Sequence, residues 1–129
     1  MYTICYVLKK ITSLIIMADE LHNKKCVPCE GGIPPFTSDE IQEYLNKVDG
    51  WSVKEDGKDK FYLIKEFKFK NFVASQEFVN KVGDIAETEG HHPDLWYGWG
   101  YANVKIYTHA IQGLAESDFI LAAKIDKLS

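Results

Sequence analysis

The sequence contains no arginine: all fifteen of its basic residues are lysine. Only a planar guanidinium group grips a phosphate or carboxylate with two parallel hydrogen bonds, so that mode of recognition is excluded within this chain. Nucleic-acid partners require clustered positive charge, and the net charge of −4 argues against them. A substrate held by backbone groups, aromatic rings and imidazole is favoured over a nucleotide or a sugar phosphate.

Cysteine is also scarce. Three cysteines are an odd number without the spacing of a disulfide framework, which indicates a reducing compartment, the cytoplasm. Cys26 and Cys29 are compatible with half of a zinc site, together with His22, or with a redox pair. A structural zinc site normally needs a second pair of ligands, so free thiols in a surface loop are the favoured interpretation.

The sequence has no apolar run long enough to cross a membrane, because Ile11–Met17 is far too short. A cleavable secretory signal is not evident either. Residues 1–23 are therefore expected to be a leader, either disordered or upstream of a true start at Met17. Residues 24–129 are expected to form one domain, since a chain of 129 residues with 46% hydrophobic residues can bury one core.

Local signals in this domain predict an α+β fold in the order α-β-β-α-β-β-α, with a four-stranded antiparallel sheet and three helices on one face. The signals are a capping box at residues 37–40, a hairpin turn at residues 56–57, and a helix between Asn71 and Gly90. Two strands at residues 94–99 and 101–109 and a last helix at residues 116–128 follow.

The last helix is more apolar than a helix with one buried face requires. Residues 119–123 are apolar around most of the helix circumference. This pattern predicts an outer face of residues 119–123 that is buried against another subunit.

Three of the four histidines fall within nineteen residues, at His91, His92 and His109. Imidazole both gives and takes a proton near neutral pH, so this grouping indicates a site for proton transfer. Gly90 ends a helix and Pro93 favours an extended His92, which places the pair at a sharp helix-to-strand transition. His109 is expected on the last strand, on the same face as Tyr101 and Tyr107.

Other interpretations of these residues stay open. A histidine near the carboxyl end of a helix is stabilised there when it is protonated, without any catalytic role. A zinc site is disfavoured because adjacent histidines point in different directions. Trp96, Trp99 and Tyr101 are compatible with the walls of a site for a flat heterocycle, and equally with packing.

The spacing of these residues resembles the motif of the pterin-4a-carbinolamine dehydratase family. Glu87 precedes the His-His-Pro run at residues 91–93, Trp99 supplies an aromatic, His109 follows ten residues later, and Asp118 completes the pattern. The resemblance covers residues 24–128. It departs from the family at Trp99, where tyrosine is frequent, and at Ala115, where Ser or Thr usually caps the last helix.

The resemblance implies a lyase that removes water from a 4a-hydroxytetrahydropterin, in recycling of tetrahydrobiopterin or a related pterin. It implies no metal and no other cofactor. The expected catalytic residues are His91 and His109 as an acid/base pair, with His92 positioning the substrate. The expected substrate-binding residues are Glu87, Pro93, Trp99 and Asp118; from its sequence position alone, at the start of a helix, Asp118 is interpreted as structural.

The resemblance also implies a homodimer or homotetramer. A transcription factor is a further partner by family analogy, for which the outer face of residues 119–123 is the expected surface. The expected location is the cytoplasm, with the nucleus as a second location, and no direct binding to nucleic acid or membrane is expected.

Overall fold

The computed structural model describes residues 21–26 and 33–128. The predicted leader up to residue 20, and Cys29 with the loop around it, lie outside the described residues. The structure has the predicted order of elements, which are α1 (Ser38–Leu45), β1 (Ser52–Glu55), β2 (Phe61–Lys68), α2 (Phe72–Glu89), β3 (Asp94–Gly98), β4 (Tyr101–Ile106) and α3 (Glu116–Asp126). A short 3₁₀ helix (His109–Ile111) precedes α3.

The four strands form one antiparallel sheet in the order β1-β2-β4-β3. The predicted α+β fold class is therefore confirmed. In the register between β3 and β4, Asp94 lies opposite Lys105 and Gly98 lies opposite Tyr101. Because the two strands run in opposite directions, the start of β3 and the end of β4 lie at the same end of the sheet. This pairing determines which of the candidate site residues can meet.

The first two helices begin at the residues that the sequence predicts. Thr37 caps α1 by accepting a hydrogen bond from the backbone N–H of Glu40, whose carboxylate accepts the Thr37 N–H in return. Asn71 caps α2 by accepting the N–H of Ala74 at 2.8 Å. Gly90 ends α2 with a φ of +63°, a left-handed conformation that glycine adopts without strain.

The helices cover one face of the sheet, and β4 shows the alternation most clearly. Ala102, Val104 and Ile106 are fully buried beneath the helices, whereas the intervening residues are only partly buried on the open face. Residues of β2 contribute to both faces without a bulge, since their pairing with β4 is continuous. Lys65 lies in the covered row, where it pairs with Asp126 of α3 at 2.8 Å.

The predicted length of β4 is wrong. β4 ends at Ile106, so His109 does not lie on a strand but begins the 3₁₀ helix. The chain turns away because Thr108 instead pairs with Gly113 through a backbone hydrogen bond of 2.9 Å. The turn also requires a left-handed Gln112, with a φ of +51°.

The predicted subunit interface at residues 119–123 is also wrong. The whole segment is buried within this chain, and Phe119 has no exposed surface. The rings of Phe36 and Tyr44 pack against Phe119, with centroids 6.1 and 5.3 Å away. The chain itself covers the extra apolar surface of α3, so that face is not available to a second subunit or to a transcription factor.

The part of the predicted leader that is described belongs to the domain. Residues 21–23 are helical, and Leu21 is buried in the main core with only 2% of its surface exposed. The structure therefore places residues 21–23 with the domain and not with the leader. Among the described helices, none has the length and apolar character to cross a membrane.

Candidate active site

A buried carboxylate lies at the centre of the candidate site. Asp118, in the first turn of α3, has no exposed surface. Its Oδ1 lies 2.6 Å from Nε2 of His91, and its Oδ2 accepts hydrogen bonds from the Thr108 hydroxyl and the Ala115 N–H, each at 2.8 Å. A buried carboxylate is costly unless its lone pairs are satisfied, and here three groups from separate segments surround it. Asp118 therefore connects three segments: His91 after α2, Thr108 after β4, and the start of α3.

The same carboxylate replaces the missing cap of α3. Ala115 occupies the cap position in an extended conformation and has no side-chain oxygen to offer. Asp118 accepts the Ala115 N–H, and the Asp118 N–H donates to the Ala115 carbonyl at 3.1 Å, so only the acidic half of a capping box is present. The interpretation of Asp118 as a structural residue of the helix start is incomplete, because the same side chain also binds His91.

His92 is paired with a carboxylate in a different environment. Its Nε2 lies 3.0 Å from Oε2 of Glu87, one turn back in α2, and 64% of the His92 side chain and 83% of the Glu87 side chain are exposed. The two adjacent histidines thus have separate acidic partners. His91 is held inside the molecule by Asp118, whereas His92 stands at the surface and its ion pair is open to water.

The antiparallel pairing of β3 and β4 brings His109 to the same end of the sheet as His91 and His92. Thr108, whose hydroxyl binds the carboxylate that holds His91, is the neighbour of His109 in the chain. The His109 side chain is exposed, and its ring centroid lies 4.2 Å from that of Tyr107. The His109 carbonyl accepts a hydrogen bond from the Gln112 side chain at 2.9 Å, which fixes the 3₁₀ turn.

Two further predicted site residues are separated by the length of β3. Pro93 directly precedes the strand and lies beside the histidine pair. Trp99 follows the strand at its other end, in the turn to β4, and 71% of its surface is exposed. Five strand residues span about 16 Å at a rise of about 3.3 Å per residue, so one chain does not bring Trp99 to the histidines.

The Cys26 thiol lies outside this site and is held in a protonated form. Burial, and then the negative charge of Glu89, raise the pKa of Cys26 to about 12. The Cys26 N–H donates to Glu89 at 3.0 Å, and the thiol donates to the Ser117 carbonyl. Because a reactive or metal-binding thiol needs a low pKa, this environment disfavours the redox and zinc interpretations of Cys26.

No group of three or more His, Cys, Asp or Glu side chains within residues 21–26 and 33–128 is placed to hold a metal ion. The histidines instead make separate contacts: His91 binds the buried Asp118, His92 binds Glu87, and the His109 ring packs on Tyr107. Such an arrangement can hold an imidazole in one orientation and one tautomer while its second nitrogen exchanges a proton with a substrate.

The sequence reasoning missed two residues around His109, whereas Tyr107 was expected on the same face. Thr108 binds Asp118, and Gln112 binds the His109 carbonyl. The one sequence signal of Thr108 is a hydroxyl at the end of the aliphatic row Ala102, Val104 and Ile106. Nothing in the sequence marks Gln112, because its role depends on the unpredicted turn.

Comparison with known proteins identifies the family of this chain. The sequence profile of the family described as Pterin 4 alpha carbinolamine dehydratase matches residues 34–128. The chain belongs to the pterin-4a-carbinolamine dehydratase family. The resemblance read from the histidine motif is therefore confirmed at the level of the family.

The region that matches this chain covers nearly the whole length of its relatives. A protein of Rubrobacter xylanophilus, named as a proposed pterin-4-alpha-carbinolamine dehydratase, is 46% identical over 109 residues, which are 84% of this chain and 98% of the relative. A Rickettsia bellii protein of the same name is 51% identical over 109 residues, covering 84% and 93% of the two chains.

Two solved structures share the fold of this chain. The crystal structure of a protein described as a transcriptional coactivator/pterin dehydratase from Brucella melitensis has a TM-score of 0.65 and 31% identity, covering 73% of this chain and 97% of that one. A pterin dehydratase-like protein described as a RuBisCO assembly factor has a TM-score of 0.52 at 22% identity, covering 61% and 88% of the two chains, and supports the fold alone.

Proposed function

We propose that this protein is a lyase that removes water from a 4a-hydroxytetrahydropterin by acid/base catalysis with histidine. The observation that carries the proposal is the position of Asp118. Its buried carboxylate binds the His91 ring and the Thr108 hydroxyl, so two histidine-bearing segments meet at one point. The family membership supplies the substrate class and the type of reaction.

The reaction needs two proton transfers. The bond between C4a and the hydroxyl oxygen breaks as an acid protonates that oxygen, and water leaves. The N5 lone pair forms a double bond to C4a, and a base then takes the N5 proton, which gives the quinonoid dihydropterin. His91 and His109 perform these two transfers in the proposal, each contributing roughly 10²–10⁴-fold.

We propose supporting roles for the neighbouring groups, based on their hydrogen bonds. In the proposal, Asp118 accepts a hydrogen bond from Nε2–H of His91, so that Nδ1 is the nitrogen that exchanges a proton with the substrate. His92, with Glu87 beside it, positions the pterin, and Pro93 shapes the edge of the site. No cofactor takes part in the proposed reaction, since the pterin is itself the substrate.

Turnover of enzymatically generated 4a-hydroxytetrahydropterin, followed by absorbance, tests this proposal. We expect His91→Ala and His109→Ala each to lower kcat by at least about 10²-fold. Lys81→Met, on the exposed face of α2 away from the site, is the control for general effects of substitution. Wild-type turnover in both histidine variants would remove the proposed catalytic pair.

We also propose that the protein self-associates through β3, in place of the α3 surface. β3 pairs with β4 on one side, and in the described part of the chain its other edge has no strand beside it. Exposed apolar side chains surround this edge, namely Phe72, Val73, Trp96, Tyr97 and Trp99. An exposed edge with such side chains can pair with the same edge of a second copy about a twofold axis.

Light scattering at several protein concentrations tests the association. Tyr97→Glu is expected to reduce the mass to that of a monomer of 14.7 kDa, because the charge would be buried against the partner. Lys54→Glu, on the opposite edge strand β1, is the control. An unchanged mass in Tyr97→Glu would exclude the β3 edge as the interface.

We place the activity in the cytoplasm. The support is chemical: Cys26 is a free thiol whose raised pKa keeps it protonated. The expectation of a second, nuclear location and of a transcription-factor partner rests on the family alone, and only the Brucella protein is described as a coactivator.

A further inference from the structure

A cavity of about 210 Å³ opens beside His109 and takes no part in the proposed proton transfers. It lies on the open face of the sheet, between the turn of the β1–β2 hairpin and the end of β4. Two of its lining residues are the direct partners of His109: Tyr107, whose ring packs on the imidazole, and Gln112, whose amide binds the His109 carbonyl. The other lining residues used below are Asp56, Lys60, Tyr62 and Lys105. We call this cavity the lysine pocket.

The size of the lysine pocket suits part of a ligand. Cavities that enclose a whole drug-sized ligand are typically about 300–1,000 Å³, whereas a cavity of about 150 Å³ already admits a benzene ring. The lysine pocket lies between these sizes and adjoins a catalytic candidate. It can therefore hold a substituent of a molecule whose reacting ring lies at the histidines.

The charges of the lysine pocket favour an anionic substituent. Lys105 Nζ lies 4.3 Å from the centroid of the Tyr62 ring and 5.5 Å from that of Tyr107, so aromatic faces hold the ammonium group in place. Its nearest carboxylate is that of Asp56 at 3.9 Å, which is longer than a hydrogen bond.

Lys60 adds a second ammonium group that has no ion pair in the part of the chain that the structure describes. Two lysines against one aspartate leave the pocket with a net positive charge. In a chain without arginine, lysine is the side chain that can bind a carboxylate here.

We propose that the lysine pocket binds a carboxylate-bearing aromatic substituent of the pterin, and that the protein therefore prefers pterins with a benzoate-type tail to pterins with a neutral tail. The inference rests on the proposed function, because it places the pterin ring at the histidines. The Tyr62 and Tyr107 rings flank the tail, and the ammonium groups of Lys60 and Lys105 donate hydrogen bonds to its carboxylate.

Equilibrium binding of two oxidised pterins tests the preference, with quenching of tryptophan fluorescence as the signal. Pteroic acid carries a benzoate tail, and biopterin carries a neutral dihydroxypropyl tail. We expect pteroic acid to bind at least about tenfold more tightly at low salt, the lower limit for one charge-assisted hydrogen bond. The ratio should fall as salt is added, because the contact is partly exposed.

Three lysine variants separate the pocket from general charge effects. Lys105→Met and Lys60→Met each keep an apolar stem and should reduce the ratio of the two dissociation constants, while Lys81→Met should retain it. Lys60 adjoins a turn, so its variant keeps the test valid if Lys105→Met fails to fold. Equal affinities in the wild type, or a ratio that both pocket variants retain, would overturn the inference.

The two proposals fail in different ways. Absence of dehydration with the neutral-tailed substrate would contradict the proposed function. Normal dehydration without any preference between the tails would contradict the lysine pocket alone.

Discussion

Nε2 of His91 lies 2.6 Å from Oδ1 of Asp118, although the two residues are 27 positions apart and belong to different segments of the fold. His91 follows the glycine that ends α2, whereas Asp118 lies in the first turn of α3. The orientation of the imidazole is thus tied to the point where the last helix begins. The orientation of the His91 ring therefore depends on how α2 and α3 pack against each other.

Asp118→Asn should lower kcat by at least about tenfold, the usual minimum for losing a carboxylate that orients a functional histidine. The amide oxygen can still accept from Thr108 and Ala115, which turns the NH₂ group toward His91. Nε2 of His91 must then accept a hydrogen bond, so the tautomer reverses. Turnover and the ¹⁵N shifts of the His91 ring report both effects.

Glu87→Gln is the matched comparison for that variant, since it neutralises the partner of the exposed His92. Its effect on kcat should be smaller because water can replace the carboxylate. A wild-type kcat and tautomer in Asp118→Asn would show that the buried contact serves only the helix.

Thr108→Val should lower kcat more than it changes KM, because the buried hydroxyl binds Asp118 and acts on the reaction through His91. Loss of that hydrogen bond should also reduce the free energy of unfolding by about 1–3 kcal/mol, since one carboxylate oxygen loses a buried donor. Thr108→Ser retains the hydroxyl and should recover most of the activity. Steady-state kinetics and urea unfolding of both variants check this expectation, which equal losses in Val and Ser would refute.

Asp126→Ala should destabilise the fold by about 3 kcal/mol, because it leaves the largely buried Lys65 ammonium without a counter-charge, with only the Asp49 carbonyl as a partner. The same carboxylate accepts the Trp51 indole N–H at 3.0 Å. Glu66→Ala is the control: it breaks an ion pair with Lys68 in the same strand, and that exposed pair should contribute less than about 1 kcal/mol. Urea unfolding measures both, and similar losses would mean that burial of the Lys65 pair is unimportant.

The stability should depend on the charge of Glu89. Burial alone would raise the pKa of Glu89, but hydrogen bonds from Lys124 and from the Cys26 N–H lower it below its ordinary value of 4.5. A carboxyl group whose pKa is lower in the folded state stabilises the protein above its unfolded pKa, and this contribution is lost as the pH falls through the folded pKa.

Glu89→Gln should therefore be less stable than the wild type at pH 7, and the difference should shrink at acid pH. Urea unfolding at several pH values between about 7 and 3, where a carboxyl group gains its proton, gives the two curves. The control is Glu77→Gln, an exposed position of α2. A constant difference across this range would contradict the assigned pKa direction.

Most of the element order could be predicted because its signals are local. The capping residues of α1 and α2 and the glycine after α2 depend only on neighbours within four residues. The alternation in β4 depends only on which side chains are apolar. Such features can be predicted without knowledge of the tertiary contacts.

The remaining features depend on contacts between distant segments. The apolar surface of α3 indicated a second subunit, because the sequence does not reveal that Phe36 and Tyr44 return to cover Phe119. The position of His109 was wrong because a backbone pair across six residues ends β4 early. Asp118 was undervalued since a carboxylate at a helix start has a sufficient local explanation.

The backbone pair between Thr108 and Gly113 closes a small loop that carries His109 at its surface. Gly113 has no room for a side chain, because a Cβ atom there would lie 2.8 Å from Pro35. The loop is consequently anchored at its base while its outer residues Ala110 and Ile111 contribute little to the core. Lengthening or shortening this loop would change the direction of the His109 ring, while Asp118 keeps the His91 ring in place.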